Sequence, residues 1–285
     1  MARRRRPPLR VFIYGAGKLG TALARALKAA PPARDGTAAK VAVRPARKGV
    51  PRRIDADVVV VAVRDRDVTP TAQAMVGVVA RDAVVVHVAG ALGADSLAPL
   101  RGHCAGVAQM HPMISFASKR YAPGLARGNV HVAGDAAAVA RARRIARMLG
   151  MTARTVKGLD TVAYHAAAGL VANGAAALAA VGAQLLERAG VAAKDAPKML
   201  GPLLRSVADN VETLGFPEAL TGPVRRGDAT GVAKHVATLR AKLPEAVALY
   251  LAAAEAQLPL ARAIGDASAA NLDAVAATIA SEKSR

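Results

Sequence analysis

The sequence predicts an α/β fold, with a doubly wound sheet of parallel strands in the first half of the chain and an all-helical domain in the second. Two observations carry this. Up to residue 157, short Val-rich runs alternate with Ala-rich segments of helical period, the pattern of strands joined by crossover helices. After Lys157 the strand signal stops and long helical stretches take over.

Strands are expected at Leu9–Tyr14, Lys40–Arg44, Asp57–Val63, Ala83–Val88, Val107–Met110, Val130–Ala133 and Ala153–Val156. Val58 to Val63 is apolar without alternation, so that strand should be covered on both faces. Helices Leu19–Ala30, Pro70–Val79 and Ala136–Leu149 fit between the strands. The second half reads as helices over 160–188, 194–213, 229–241, 244–264 with a break at Pro259, and 268–281. Asp160, Asp195 and Asp228 stand where N-caps are expected, and Gly150 and Gly190 where helices should end. The expected domains are therefore 1–158 and 159–285. An Ala-rich helical half allows close helix packing, so it is the expected homodimer interface.

With 285 residues and 53% apolar side chains the chain can bury a sizeable core, which excludes intrinsic disorder. Cys104 is its sole cysteine, so it has no intramolecular disulfide and no cysteine-based zinc site. A cytoplasmic location is expected, because the apolar stretch Leu9 to Gly17 is too short for a secretory signal and is followed by Lys18. The uncharged stretch Thr161 to Leu186 is long enough to span a bilayer, but it is mainly Ala and Gly and carries His165, Asn173 and Gln184, which favours a buried or interface helix over a membrane span.

Charge is uneven. Residues 1–158 hold 28 basic and 8 acidic side chains, whereas residues 159–285 hold 12 of each. Such a field attracts a phosphorylated cofactor or a nucleic acid, unless it reflects only a genome that favours Arg. The basic tail Arg3–Arg6 has no interleaved aromatic and no nucleic-acid module follows it, which argues against nucleic acid as a partner.

The expected first strand runs into Gly15-Ala16-Gly17-Lys18-Leu19-Gly20 and then a helix, giving G-x-G-x-x-G in a strand–turn–helix context. In this reading Gly15 permits the tight turn, Gly17 lets a pyrophosphate reach the backbone, and Gly20 lets helix and strand approach. The free N–H groups and positive dipole end of the helix would face the phosphates, and Val63, at the end of the third strand, borders the same crevice. From Lys40 to Arg53 there are six basic residues and no acid to accept the ribose hydroxyls. One or two Arg–phosphate contacts of about 1.5–3 kcal/mol each suffice to select a 2′-phosphorylated cofactor, so NADP(H) is expected, with Arg44, Arg47 and Lys48 as its candidate partners. The alternative is that these cations form a solvated loop.

The segments Gly15–Gly20, Asp57–Asp67, His87–Ala91, His111–Met113, Tyr164–Ala168 with Asn173, and Ala219–Asp228 span nearly the whole chain. In them the sequence resembles the superfamily of pyrroline-5-carboxylate reductase, ketopantoate reductase, prephenate dehydrogenase and the beta-hydroxyacid dehydrogenases, which join a Rossmann-like half to a helical domain like the C-terminal part of 6-phosphogluconate dehydrogenase. More closely it resembles a family that pairs a Rossmann-like half with a helical half of unknown function. The resemblance implies that the nicotinamide lies where the C-terminal strand ends meet the first long helix.

Reduction of a C=O or C=N bond needs a positioned acid. In beta-hydroxyacid dehydrogenases and ketopantoate reductases a Lys on the long helix supplies the proton, with an Asn one turn later. Here Asn173 is kept, but Gly169 stands at the lysine position. His165 lies one further turn back. Positions 165, 169 and 173 drift by about 80° in all, so they share one side of the helix. His165 as the acid and Asn173 as the orienting group is one reading; a hydrogen bond across a helix interface is the other. His111, before Pro112, resembles the His-Pro segment of prephenate dehydrogenases and has the ring chemistry for proton transfer near neutrality, or else it caps a loop. His87 and Gly90 end the preceding strand at the same edge as candidate substrate contacts; Gly90 would allow close backbone approach, and His87 reads equally as a satisfied strand residue. Thr221–Asp228 reads as a turn presenting Arg225 and Arg226, either of which could hold an anionic substrate. No metal site is expected. The leading expectation is an NADP(H)-dependent oxidoreductase acting on a small anionic carbonyl or imine, and the alternative from another class is a dinucleotide-binding sensor or scaffold.

Overall fold

Strand β1, Leu9–Tyr14, buries Leu9, Val11 and Ile13 under one helical layer, while Tyr14 faces the other. In the computed structural model, which describes residues 7–121 and 123–285, it is followed by α1 (Lys18–Ala29), β2 (Ala39–Arg44), β3 (Val58–Val61), α2 (Asp65–Ala74), β4 (Val84–His87), β5 (Gly106–Pro112), β6 (Asn129–Gly134), α3 (Ala136–Met148) and β7 (Thr152–Arg154). The Arg3–Arg6 tail lies outside the described residues. Among those residues the strands form one sheet in the order β2-β1-β3-β4-β5-β6-β7, with every pairing parallel except β5 with β6.

The unbroken Val58–Val61 run is covered on both faces, as its lack of alternation predicts. Val58 and Val60 pack with Leu23 and Leu27 of α1 and Ala142 and Ile145 of α3. Val59 and Val61 pack with Val68 and Ala72 of α2, with Met75 at its C-cap, and with Leu97 and Leu100 of the 3-10 segment Ala94–Leu100. The sheet is therefore doubly wound.

Strand ends shift by up to two residues, and two helices differ more from expectation. Helix α2 starts five residues before Pro70, because Asp65 and Asp67 favour its first turn, and it ends before Gly77, whose φ of +76° suits a reversal. The helix carrying Pro259 is not broken there but runs unbroken from Val247 to Ile264.

The chain divides into two compact units, one ending at Leu170 and one starting at Val171, so the boundary falls inside the long helix α4 (Thr161–Arg188). The second unit continues with α5 (Ala196–Leu214), α6 (Ala229–Lys242), α7 (Val247–Ile264) and α8 (Ala269–Lys283). Its core joins Val232 and Val236 of α6, Leu251 and Ala254 of α7, and Leu272, Val275 and Ile279 of α8. Asp228 caps α6 by accepting from the Gly231 N–H at 2.8 Å, and Asp160 accepts from the amides of Val162 and Ala163 at the head of α4. Gly150 and Gly190 follow helix ends with positive φ, as expected. Helix α5 is different: of its residues only Ala196 is buried, while Met199, Leu203, Val207, Val211 and Leu214 stand exposed along its length. Helix α4 and residues 244–264 are long and apolar enough to cross a membrane by length and composition.

Candidate active site

The three glycines of the first turn occupy distinct environments. Gly15 has φ +115°, and a Cβ there would overlap the Ala62 carbonyl; a Cβ on Gly20 would strike the Gly15 carbonyl and meet Ala62 Cβ at 3.2 Å. Both are buried. Gly17 is exposed with open space over its Cα, and it stands at the N-cap of α1 with no side chain capping the helix. The amides of Lys18, Leu19 and Gly20 begin the helix without intrahelical acceptors, so the turn fits a diphosphate against a bare backbone. Ala16 and Val63 border it half-buried.

The loop after β2 is tied to this turn. The Gly15 N–H donates to the Arg44 carbonyl at 2.9 Å, and Tyr14 Oη donates to the Ala46 carbonyl at 3.1 Å. Arg44 braces the loop from within: its Nε donates to the Gly49 carbonyl and an Nη to that of Lys48, both at 2.7 Å. Arg47 and Lys48 project exposed from the 3-10 turn Ala46–Lys48.

A second cluster forms in the same unit at the C-terminal ends of β4 and β5. His111 of β5 is 8% exposed, and His165 of α4 lies edge-on to it with ring centroids 5.6 Å apart. Both rings converge on Gly90: a Cβ there would collide with His165 Nδ1 and would stand 2.8 Å from His111 Nε2. Tyr164 meets His111 edge-on at 5.6 Å and His131 at 5.7 Å. His131 sits opposite His111 because β5 and β6 pair antiparallel, a neighbour no sequence spacing reveals. Helix α4 is anchored here by Thr161 Oγ1, which donates to the Ala91 carbonyl at 3.0 Å.

Burial, reinforced by the nearby His165, His131 and His87, pushes the His111 imidazole down to about 4. His111 is therefore neutral at pH 7. Burial also lowers His131 and His87 and raises the Tyr164 hydroxyl. An unfolded histidine takes up its proton near 6.5, so below that pH the unfolded chain binds more protons than the native one and stability falls until about pH 4. His111 alone should remove on the order of 3 kcal/mol across that window. Melting temperatures measured from pH 7 to pH 4.5 are expected to drop more steeply in the wild type than in His111→Phe.

The other candidates divide. His87 is fully buried, its Nε2 donating to the Gly93 carbonyl at 2.9 Å and its Nδ1 accepting from the Ala89 N–H at 3.2 Å, so it braces the loop rather than facing a substrate. Asn173 is exposed on α4 in the second unit. In that unit Arg225 is held by Asp266 at 2.7 Å and by the carbonyls of Glu218 and Leu220, which makes it a fastening of the turn, whereas Arg226 is exposed. Gln109 was not marked by the sequence. It is 1% exposed, and its Nε2 donates to the carbonyls of Ala89 at 2.9 Å and Gly90 at 3.2 Å. The signal that could have found it is a lone amide inside an otherwise apolar strand. Among the described residues no group of His, Cys, Asp or Glu could hold a metal ion.

Residues 129–257 match the family model described as Domain of unknown function (DUF2520). No curated protein matches the sequence. A Bacteroides fragilis protein provisionally described as an NADP oxidoreductase superposes with a TM-score of 0.67 at 21% identity, over 88% of this chain and 98% of its own. A protein of Thermotoga maritima gives 0.62 at 24% identity over 89% and 98%, and Plasmodium falciparum pyrroline carboxylate reductase with NADP bound gives 0.57 at 13% identity over 87% and 98%. At these identities the likeness is one of fold. The chain thus has the Rossmann-plus-helical fold of these proteins, and residues 129–257 within it are similar to the DUF2520 family.

Proposed function

We propose that the chain is an NADP(H)-dependent oxidoreductase that reduces, or in reverse oxidises, a small anionic carbonyl or imine compound. The observation that carries this reading is the exposed, bare Gly17 at the uncapped head of α1, flanked by two glycines that packing requires. Similarity of fold to the NADP-bound pyrroline carboxylate reductase supports it. The cofactor, when bound, would supply the hydride. Lys18, Leu19 and Gly20 would hold its diphosphate through their amides, and Arg47 and Lys48, with Arg44 holding their loop, would meet the 2′-phosphate.

His165 is the proton donor in this reading, because its ring is exposed to solvent, which can replenish the proton, and reaches Gly90. His111, neutral and buried beside it, orients the acceptor atom by a hydrogen bond. The test is oxidation of NADPH by a panel of keto acids and cyclic imines. Turnover with at least one member is expected, and tight NADPH binding without oxidation by any would favour the sensor alternative. Reversing charge in the double variant Arg47→Glu/Lys48→Glu is expected to lower NADPH affinity by tenfold or more and leave NADH affinity within twofold, read by nicotinamide fluorescence.

The exposed apolar stripe of α5 and the apolar length of α4 support a homodimer through the helical unit, since an amphipathic helix is stable in water only with its apolar face covered. Light scattering is expected to give twice the chain mass, and Leu203→Glu/Val207→Glu to give the monomer mass.

A further inference from the structure

Two buried polar atoms of the imidazole cluster have no hydrogen-bond partner among the protein atoms: Gln109 Oε1 and His111 Nδ1. Both belong to β5 and stand two residues apart, so their side chains leave the same face of the strand from Cα atoms about 7 Å apart. The amide of Gln109 cannot be turned to exchange its ends. Its nitrogen donates to two carbonyls, Ala89 and Gly90, and an oxygen in that place would face both of them unpaired. Its oxygen is thus a fixed acceptor, enclosed and without a donor, and leaving it so carries the desolvation penalty of an unpaired amide oxygen. His111 Nδ1 is in the same position, while His111 Nε2 faces the Cα of Gly90.

One enclosed water bridges two acceptors up to about 5.6 Å apart, within reach of side chains on neighbouring same-face positions. A water that donates one hydrogen to Gln109 Oε1 and the other to His111 Nδ1 satisfies both orphaned atoms and both of its own hydrogens without a further partner. His111 then carries its proton on Nε2, the nitrogen turned towards Gly90 and His165.

We propose that Gln109 is a positioning residue with two functions: its amide nitrogen fixes the Gly90 backbone on which the two imidazoles converge, and its oxygen, through an enclosed water, holds His111 as the Nε2–H tautomer. His111 is thereby a permanent hydrogen-bond donor to the site, and His165 alone exchanges a proton. This assignment of roles rests on the imidazole pair being the reacting centre, but the tautomer does not.

The test is nitrogen-15 NMR of the full-length protein with labelled histidine, with Gln109→Leu and Gln109→Met as variants. In the wild type the His111 signals are expected to report a single Nε2–H form between pH 5.5 and pH 8. In a variant that retains its fold by circular dichroism, a tautomer mixture is expected, with NADPH affinity within twofold and turnover down tenfold or more. A wild-type Nδ1–H form, an imidazolium at pH 6, or His111 signals unchanged in a folded variant would each overturn the proposal. The wild-type spectrum decides even if neither variant folds. Absence of turnover on every substrate with the Nε2–H form in place would instead count against the oxidoreductase reading alone.

Discussion

Replacing Gly17 by valine is expected to leave the protein folded and to weaken NADPH binding a hundredfold or more, whereas the same replacement at Gly15 is expected to prevent the first unit from folding. Gly17 has φ −72° and ψ −170°, which any residue adopts, and nothing lies within 4 Å of the position its Cβ would take. A valine side chain there would stand in the path of the diphosphate and separate it from the amides of α1. A hundredfold loss corresponds to about 2.7 kcal/mol, the order of one or two charge-assisted hydrogen bonds. Gly15 combines a left-handed φ of +115° with a Cβ position that overlaps the Ala62 carbonyl, so β1 and β3 would have to separate. Fluorescence titration and thermal melting of the two variants read the two effects apart.

Gly90→Ala is expected to abolish turnover as effectively as His165→Ala, by a factor of about 100 to 10,000, without loss of the fold. The added methyl group would meet the ring atoms of His165 and His111, which can swing aside, rather than fixed backbone. The imidazoles would leave the point on which they converge, while the glycine turn, which follows β1, keeps its geometry. Turnover measured beside NADPH affinity checks this: loss of the first with the second within twofold is the expected pattern. If Gly90→Ala turns over normally, the convergence of the two rings has no part in the chemistry.

Much of this was legible in the sequence because it depends on local pattern. Val58–Val61 predicts its burial on both faces, and Gly15, Gly17 and Gly20 predict their separate duties, since strand, turn and helix follow each other along the chain. What was not legible depends on pairings between distant segments. That β6 returns antiparallel places His131 against His111, and nothing near either residue signals it. Arg44 looks like a free phosphate ligand until the carbonyls of Lys48 and Gly49 are found on its guanidinium. Arg225 loses its freedom to Asp266, 41 residues away. Pro259 breaks a helix in isolation, yet Leu251, Ala254 and Ala261 are anchored in the core on either side of it.

The most direct measurement is a crystal structure of the full chain solved with NADPH. The diphosphate is expected on the amides of Lys18, Leu19 and Gly20 over Gly17, with the 2′-phosphate at Arg47 and Lys48. A nucleotide bound elsewhere, or a side chain filling the space over Gly17, would contradict it.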